Sequence, residues 1–242
     1  DDRTSRGLGD VYKRQIRGKS GDARDGAPVR IAVPVLRRIA NFDDLDPLAG
    51  ETDVDVTLVE AGDVIPADAD LILLPGSKST ISDLTFLRDQ GWDIDIAAHL
   101  RRGGMVMGLC GGYQMLGTRL DDPDGVEGPA GDTPGLGHLG VETVLAGDKR
   151  LTQVTAHANA FDVPVRGYEI HMGRTGGPDC DRPFLTLDGR PEGAVSADGA
   201  VIGTYLHGIF ADDGFRRAFL DNLAARRGRE GAFGEVDFDA RV

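Results

Sequence analysis

Four short runs rich in Val, Ile, Leu and Met constrain the fold more than any other feature of this sequence: VRIAVPV (29–35), VDVTLVE (54–60), LILLPG (71–76) and MVMGLC (105–110). A strand that reads apolar on both faces has to be covered on both faces, which is the situation of a parallel sheet with helices on each side. Between the third and fourth runs lie SKSTISDLTFLRDQG (77–91) and DIDIAAHLRRGG (93–104), each long enough for a helix and each closing on glycine. The alternation predicts βα units joined by right-handed crossovers. Downstream the texture changes. GLGHLGVETVL (135–145), LTQVTAHA (151–158), VRGYEIHMG (165–173), GAVSADG (193–199) and AVIGTYLHG (200–208) read as shorter strands in a mixed or antiparallel layer. Near the end Phe215, Ala218, Phe219 and Leu223 share one face of a terminal helix. The fold class expected is α/β, a mostly parallel central sheet flanked by helices with a smaller antiparallel strand layer.

With 242 residues, 40% of them hydrophobic, the chain can bury one large core. We expect that core over residues 28–228. Residues 1–27 are polar and glycine-rich, and DDRTSRGLGDVYKRQ resembles translated adapter sequence, so they are expected to be a disordered or non-native leader. Residues 229–242 are expected to be a flexible tail. The first residue is not Met, and the expectation is a fragment of something longer. A net charge of −13 argues against unspecific attraction to nucleic acid or to an anionic membrane surface, since both reward clustered Lys and Arg. No apolar run approaches the roughly 20 residues of a spanning helix. The two cysteines, Cys110 and Cys180, sit in contexts too different for a disulfide framework, and a reducing, cytoplasmic setting is expected.

The sharpest chemical signal is MVMGLCGGYQMLG (105–117). An apolar strand runs into Gly108-Leu109-Cys110-Gly111-Gly112 and then into an apolar helical segment, the arrangement of a nucleophile elbow with cysteine in the nucleophile position. Glycines two before and two after the thiol are needed because the sharp turn brings backbone segments too close for a Cβ. The turn sets the thiol at a helix N-terminus, where free N–H groups favour a thiolate, and the Gly111 N–H faces the place where an oxyanion would form. The bland alternative is a buried free cysteine in a tight turn. In LILLPGSKST (71–80), Ser77 is expected to cap the next helix and Gly76 can lend a second oxyanion donor. Neither this segment nor Gly18-Lys19-Ser20 fits a phosphate-binding loop. In AVIGTYLHGIF (200–210) a strand carries His207 to its carboxyl end, where open α/β sheets assemble their sites. His207 is either the base that a thiol requires or an ordinary satisfied histidine. In VRGYEIHMG the two-residue period puts Glu169 and His171 on one face, lining a cleft or a partner surface, or simply solvated. His99, His138 and His157 show no ligand spacing, so no metal site is expected.

Taken together and in order, LPGSKSTISDL, GLCGGYQMLG, DPDGVEG, GYEIHMG and GTYLHGIF resemble the C-terminal glutamine amidotransferase domain of the cobyric acid synthase family, and VRIAVPVLRRIANFDDLDPL resembles its opening segment. The similarity covers about residues 28 to 226. It implies a flavodoxin-like class I glutamine amidotransferase fold. It also implies the family reaction, in which ATP and glutamine-derived ammonia amidate carboxylates of adenosylcobyrinic acid a,c-diamide on the route to cobalamin. Carried over by position, the resemblance puts the nucleophile on Cys110, the base on His207, the oxyanion donors on Gly76 and Gly111, and a glutamine contact on Gln114. It implies that this domain binds no cofactor, and that ATP and Mg serve an N-terminal synthetase half through which the corrinoid is engaged. Cys180 matches nothing.

Many class I amidotransferases complete a triad with glutamate two residues after the histidine, where this chain has Ile209. An orienting or interface role for Glu169 and His171 is the alternative considered. Two other readings stay open: an amidotransferase subunit of a related synthase, serving cobyrinic acid diamide formation or amidation of a cell-wall lipid precursor, and a partner domain with an inactive thiol.

Overall fold

The four apolar runs all become strands of one sheet. A computed structural model describes residues 29–147 and 150–229; the expectations for residues 1–27 and for the tail beyond Arg229 fall outside them. In chain order the elements begin with β1 (Val29–Pro34), β2 (Ile39–Ala40), a 3-10 turn (Phe42–Leu45), α1 (Asp46–Gly50) and β3 (Val54–Val59). Next come β4 (Leu71–Leu74), β5 (Gly76–Ser77), α2 (Thr80–Asp89), α3 (Trp92–Arg101), β6 (Met105–Leu109) and α4 (Gly111–Leu116). The second half holds β7 (Arg119–Asp122), β8 (Gly131–Pro134), β9 (Glu142–Val144), β10 (Arg150–Ala158), β11 (Val163–His171) and β12 (Arg174–Gly176). It ends with β13 (Leu185–Leu187), β14 (Arg190–Glu192), β15 (Ala194–Val195), β16 (Val201–Thr204), β17 (Leu206–His207) and α5 (Asp213–Arg226).

The central sheet has the order β15-β16-β6-β4-β1-β3. Every neighbouring pair in it is parallel except the edge pair β15–β16. Side-chain alternation sorts its strands onto two cores. Ile31, Val33, Leu71, Leu73, Met105 and Met107 join one cluster with Phe215 and Phe219 of α5. Ala32, Ile72, Leu74 and Val106 join the other with Leu84 of α2, Trp92 of α3 and Tyr113 of α4. Each fully buried Val, Leu, Ile, Met or Phe among them contributes about 1.5–3 kcal/mol. A five-stranded antiparallel sheet, β14-β13-β10-β11-β17, lies on the α5 side, since Ala156, Val165 and Leu185 share that first core. A smaller mixed sheet, β12-β9-β7-β8, and the two-residue ladder β2–β5 complete the strands.

Three expectations change. GAVSADG does not join the antiparallel layer, because β15 is the edge strand of the central sheet, paired with β16. Nor is the run AVIGTYLHG one strand of that layer: β16 pairs in parallel with β6, and after Tyr205 the chain crosses to pair β17 with β11. Buried Glu192 braces the crossing by accepting from Thr204 Oγ1 (2.7 Å) and Tyr205 N (2.6 Å). Ser77 does not cap α2. The helix starts three residues later, with Ser79 at the cap position and making no side-chain cap bond. Ser77 Oγ instead accepts from Ser79 N and donates to Asp83 Oδ2 at 2.6 Å, while the Ile81 amide is met by Glu127 Oε2 at 2.9 Å. The carboxylate that caps α2 therefore comes from a distant loop.

Gly203 marks where the parallel sheet is tightest. A Cβ there would lie 1.8 Å from the ring of Tyr113, which is itself 1% exposed. Gly203→Ala should cost about 1–3 kcal/mol or more through overpacking, read as a lowered urea midpoint at constant m-value; an unchanged midpoint would contradict the packing described.

Candidate active site

Segments that follow four parallel strands meet at their carboxyl ends, the position where open α/β sheets form sites. The turn after β6 carries Cys110, the segment after β4 carries Gly76 and Ser77, the segment after β1 carries Asn41 and Asp44, and the crossing after β16 carries His207. The cavity between them, about 210 Å³, is lined by Cys110, His207, Gln114, Glu127, Lys78 and His171 among others. That is smaller than the roughly 300–1,000 Å³ of drug-sized pockets and suits a ligand of amino-acid size.

Cys110 has φ 51 and ψ −109, a conformation that L-residues rarely adopt. Its neighbours explain how the turn is held. A Cβ on Gly108 would stand 2.6 Å from the carbonyl of Gly112, and one on Gly112 would stand 2.3 Å from the Leu74 oxygen. The steric reason given for both glycines in the sequence is therefore met in the structure. The Cys110 amide donates to Thr204 O at 2.8 Å, and its half-buried Sγ lies 3.5 Å from Ile170 O. Gly111 packs on Ser77, where a Cβ would come within 2.9 Å, and Gly76 lies against His207, where a Cβ would meet Cε1 at 3.2 Å. The two glycines expected to serve an oxyanion thus flank the thiol and the imidazole.

His207 is 1% exposed. Its ring stacks on Tyr168 (centroids 5.4 Å apart, 18° between planes), and Asn41 Nδ2 lies 3.2 Å from Nδ1. Asp44, 3% exposed, places Oδ2 at 2.7 Å from His207 Nδ1 and accepts from the Gly208 amide with Oδ1 at 2.7 Å. Burial pushes the imidazole down, but hydrogen bonds to Asp44 and Cys110 and the charges of both outweigh it and raise the group to about 9.

The remaining expected residues divide. Gln114 lines the cavity with its amide committed to the protein: Thr80 Oγ1 donates to Oε1 at 3.0 Å, and Nε2 donates to Met172 O at 2.8 Å and to Tyr205 OH at 3.2 Å. His171 also lines the cavity, stacked on Tyr205 at 3.8 Å, with its imidazole pushed down mainly by burial. Glu169 is turned to Arg190, which donates to Oε2 at 2.9 Å, so the carboxylate at His207 is Asp44 and not Glu169. Position 209 offers none, for Ile209 is fully buried in the core beside α5. Sequence reasoning missed Asp44, Asn41, Lys78 and Glu127. The available signal was position alone, because Asn41 and Asp44 follow the carboxyl end of a buried parallel strand. Cys180 neighbours Tyr113 at 4.0 Å and takes no part in the cavity lining. Among the described residues no group of three or more His, Cys, Asp and Glu side chains is arranged to hold a metal ion, and no helix is long and apolar enough to cross a membrane.

The architecture is that of class I glutamine amidotransferases. The PurLQS structure from Thermotoga maritima matches 83% of this chain and 99% of its own length with a TM-score of 0.61 at 19% identity. A glutamine amidotransferase from the same organism matches 82% and 85% with a TM-score of 0.51 at 15% identity. Residues 30–215 match the CobB/CobQ-like glutamine amidotransferase domain, and the chain belongs to that family. It is 59% identical over 217 residues to a cobyric acid synthase of a Ruegeria species and 60% identical over 209 residues to one of Bradyrhizobium diazoefficiens. These alignments cover 90% and 86% of this chain, which spans only 44% and 43% of the length of the two relatives.

A histidine raised from 6.5 to about 9 gives stability that is complete below pH 6.5 and is lost as pH climbs through 9. The loss is on the order of 3 kcal/mol. Unfolding free energy of the chain should therefore fall between pH 6.5 and 9, and His207→Asn should flatten that fall; equal slopes in the two proteins would contradict the environment assigned to His207.

Proposed function

We propose that this chain is the glutamine-hydrolysing part of a cobyric acid synthase, working in the cytoplasm and feeding ammonia to an ATP-dependent synthetase half. The observation that carries the reading is that Cys110, on a strained strand-to-helix turn, and His207, on a different strand, line one cavity of amino-acid size. Lys78 and Glu127 give the same cavity one ammonium and one carboxylate, the complement of an amino-acid zwitterion. The high identity to cobyric acid synthases over nearly the whole chain supports the choice of synthase, and two free thiols agree with a reducing compartment.

In this reading the thiol proton already rests on His207, whose raised titration favours an imidazolium beside a Cys110 thiolate, and the sulfur attacks the side-chain amide carbon of glutamine. The carbonyl oxygen becomes an oxyanion that the main-chain N–H groups of Gly76 and Gly111 meet. His207 then protonates the departing nitrogen, ammonia leaves, and a γ-glutamyl thioester remains on Cys110. Water deprotonated by His207 attacks that thioester, releasing glutamate and restoring the thiol. Gln114, fixed by Thr80, Met172 and Tyr205, gives the substrate a rigid wall. ATP, Mg and the corrinoid acid belong to the synthetase half, where ammonia amidates an activated carboxylate.

Cys110→Ala should abolish ammonia release from glutamine while leaving the melting temperature within a few degrees, because the turn is held by its glycines and not by the thiol. His207→Ala should lower kcat by at least about a thousandfold with glutamine still bound. Retained turnover in the Cys110 variant, measured with and without the synthetase half, would overturn the assignment, and an inert thiol in the native chain would favour a non-catalytic partner domain.

A further inference from the structure

We propose that Asp44 is the positioning residue of the glutaminase centre, a triad acid delivered from the segment after the first strand instead of from the residues that follow the histidine. The inference rests on the glutaminase reading above and adds a member to that site.

Both oxygens of the Asp44 carboxylate are engaged by the histidine segment. Oδ2 is 2.7 Å from His207 Nδ1 and Oδ1 accepts from the Gly208 amide at 2.7 Å, so one side chain fixes the ring and the backbone that carries it. The pair is nearly dry, at 3% and 1% exposure. A carboxylate on Nδ1 holds a proton on that nitrogen and so turns Nε2 toward the thiol, and it stabilises the imidazolium that carries the thiol proton beside the thiolate. The competing carboxylates are occupied elsewhere. Glu169 is bonded to Arg190, Glu192 accepts from Thr204 and Tyr205, and Glu127 accepts from the Ile81 amide. The position where a carboxylate would follow the histidine holds Ile209, buried in the core.

The local backbone accounts for the placement. Asn41 adopts a left-handed conformation (φ 55, ψ 65) that turns the chain out of β2 into the 3-10 turn Phe42–Leu45. Asp44 and Leu45 are the buried members of that turn, and Asp44 is thereby aimed back at β17. Other titratable or charged groups around His207 include Cys110, Tyr168 stacked on its ring, Asp43 acting on that tyrosine, His171, and Lys78 and Glu127 of the same cavity.

The test compares Asp44→Asn and Asp44→Glu in the chain, reading kcat and KM for glutamine hydrolysis together with the titration of His207 by heteronuclear NMR. Asparagine keeps an acceptor for Gly208 but cannot accept from Nδ1–H as a carboxylate does. Asp44→Asn should lower kcat by about 10²- to 10⁴-fold with KM changed less than threefold, and should bring the His207 titration down from about 9. Asp44→Glu should recover at least tenfold of the lost kcat. A kcat within threefold of the native value in Asp44→Asn, an unmoved His207 titration, or a rise in KM alone would overturn the proposal. Should the Asn variant fail to fold, Asp44→Glu against Asp44→Gln makes the same comparison of charge at constant length. A native chain that releases no ammonia from glutamine refutes the glutaminase reading itself, whereas an active native chain with an equally active Asn variant refutes only the role of Asp44.

Discussion

The structure turns on the cost of one sharp bend. At Cys110 the chain leaves a fully buried strand and enters a helix with no intervening loop, and it does so through a backbone conformation unfavourable for any residue with a side chain. Such a conformation costs on the order of 1–3 kcal/mol and persists only where the surroundings over-determine it. Here β6 is a central strand, paired on both sides by β4 and β16, and α4 is pressed so tightly on β4 that Gly112 has the Leu74 carbonyl where a Cβ would be. The absence of side chains at positions 108, 112 and 203 is therefore a single requirement, the close approach of α4 and its Tyr113 ring to the strands beneath.

Once the thiol is fixed at the tip of β6, the rest of the site has to be brought to it. The chain does this by splitting one apolar run between two sheets. β16 continues the parallel sheet beside β6, and after Tyr205 the backbone crosses to β11, carrying His207 over the cavity. Buried Glu192 satisfies the amide and hydroxyl at the crossing and is itself pushed up to about 7, mainly by burial. A buried imidazole would lose its charge unless something favoured the charged form, and Asp44 supplies that at hydrogen-bond distance.

What the sequence made legible was local. The four parallel strands, the helices between them, the terminal helix and the elbow each follow from contiguous residues, because burial on both faces, helical periodicity and turn sterics leave their marks within ten or so positions. What it hid was long-range. Asp44 and His207 are 163 residues apart, and nothing in NFDD distinguishes a positioned carboxylate from a solvated one. Glu169 carried the right charge in the right strand but meets Arg190, a partner 21 residues away in a different hairpin. Ser77 has the look of a helix cap, yet Glu127 reaches α2 from 46 residues downstream. The break at Tyr205 was invisible for a related reason: no Pro, Gly, Asn or Asp marks a turn at Thr204-Tyr205, and only pairing partners elsewhere in the chain decide where one sheet ends and another starts.

The central claim, that Cys110 is a nucleophile addressed to glutamine, is tested most directly by exposing the chain to a glutamine-analogue electrophile such as a diazo ketone and mapping the adduct by peptide mass spectrometry. The account predicts one adduct, on Cys110 and not on Cys180, formed more slowly when glutamine competes and when His207 is replaced. Labelling of both thiols at similar rates, or labelling of Cys110 that glutamine does not slow, would contradict it.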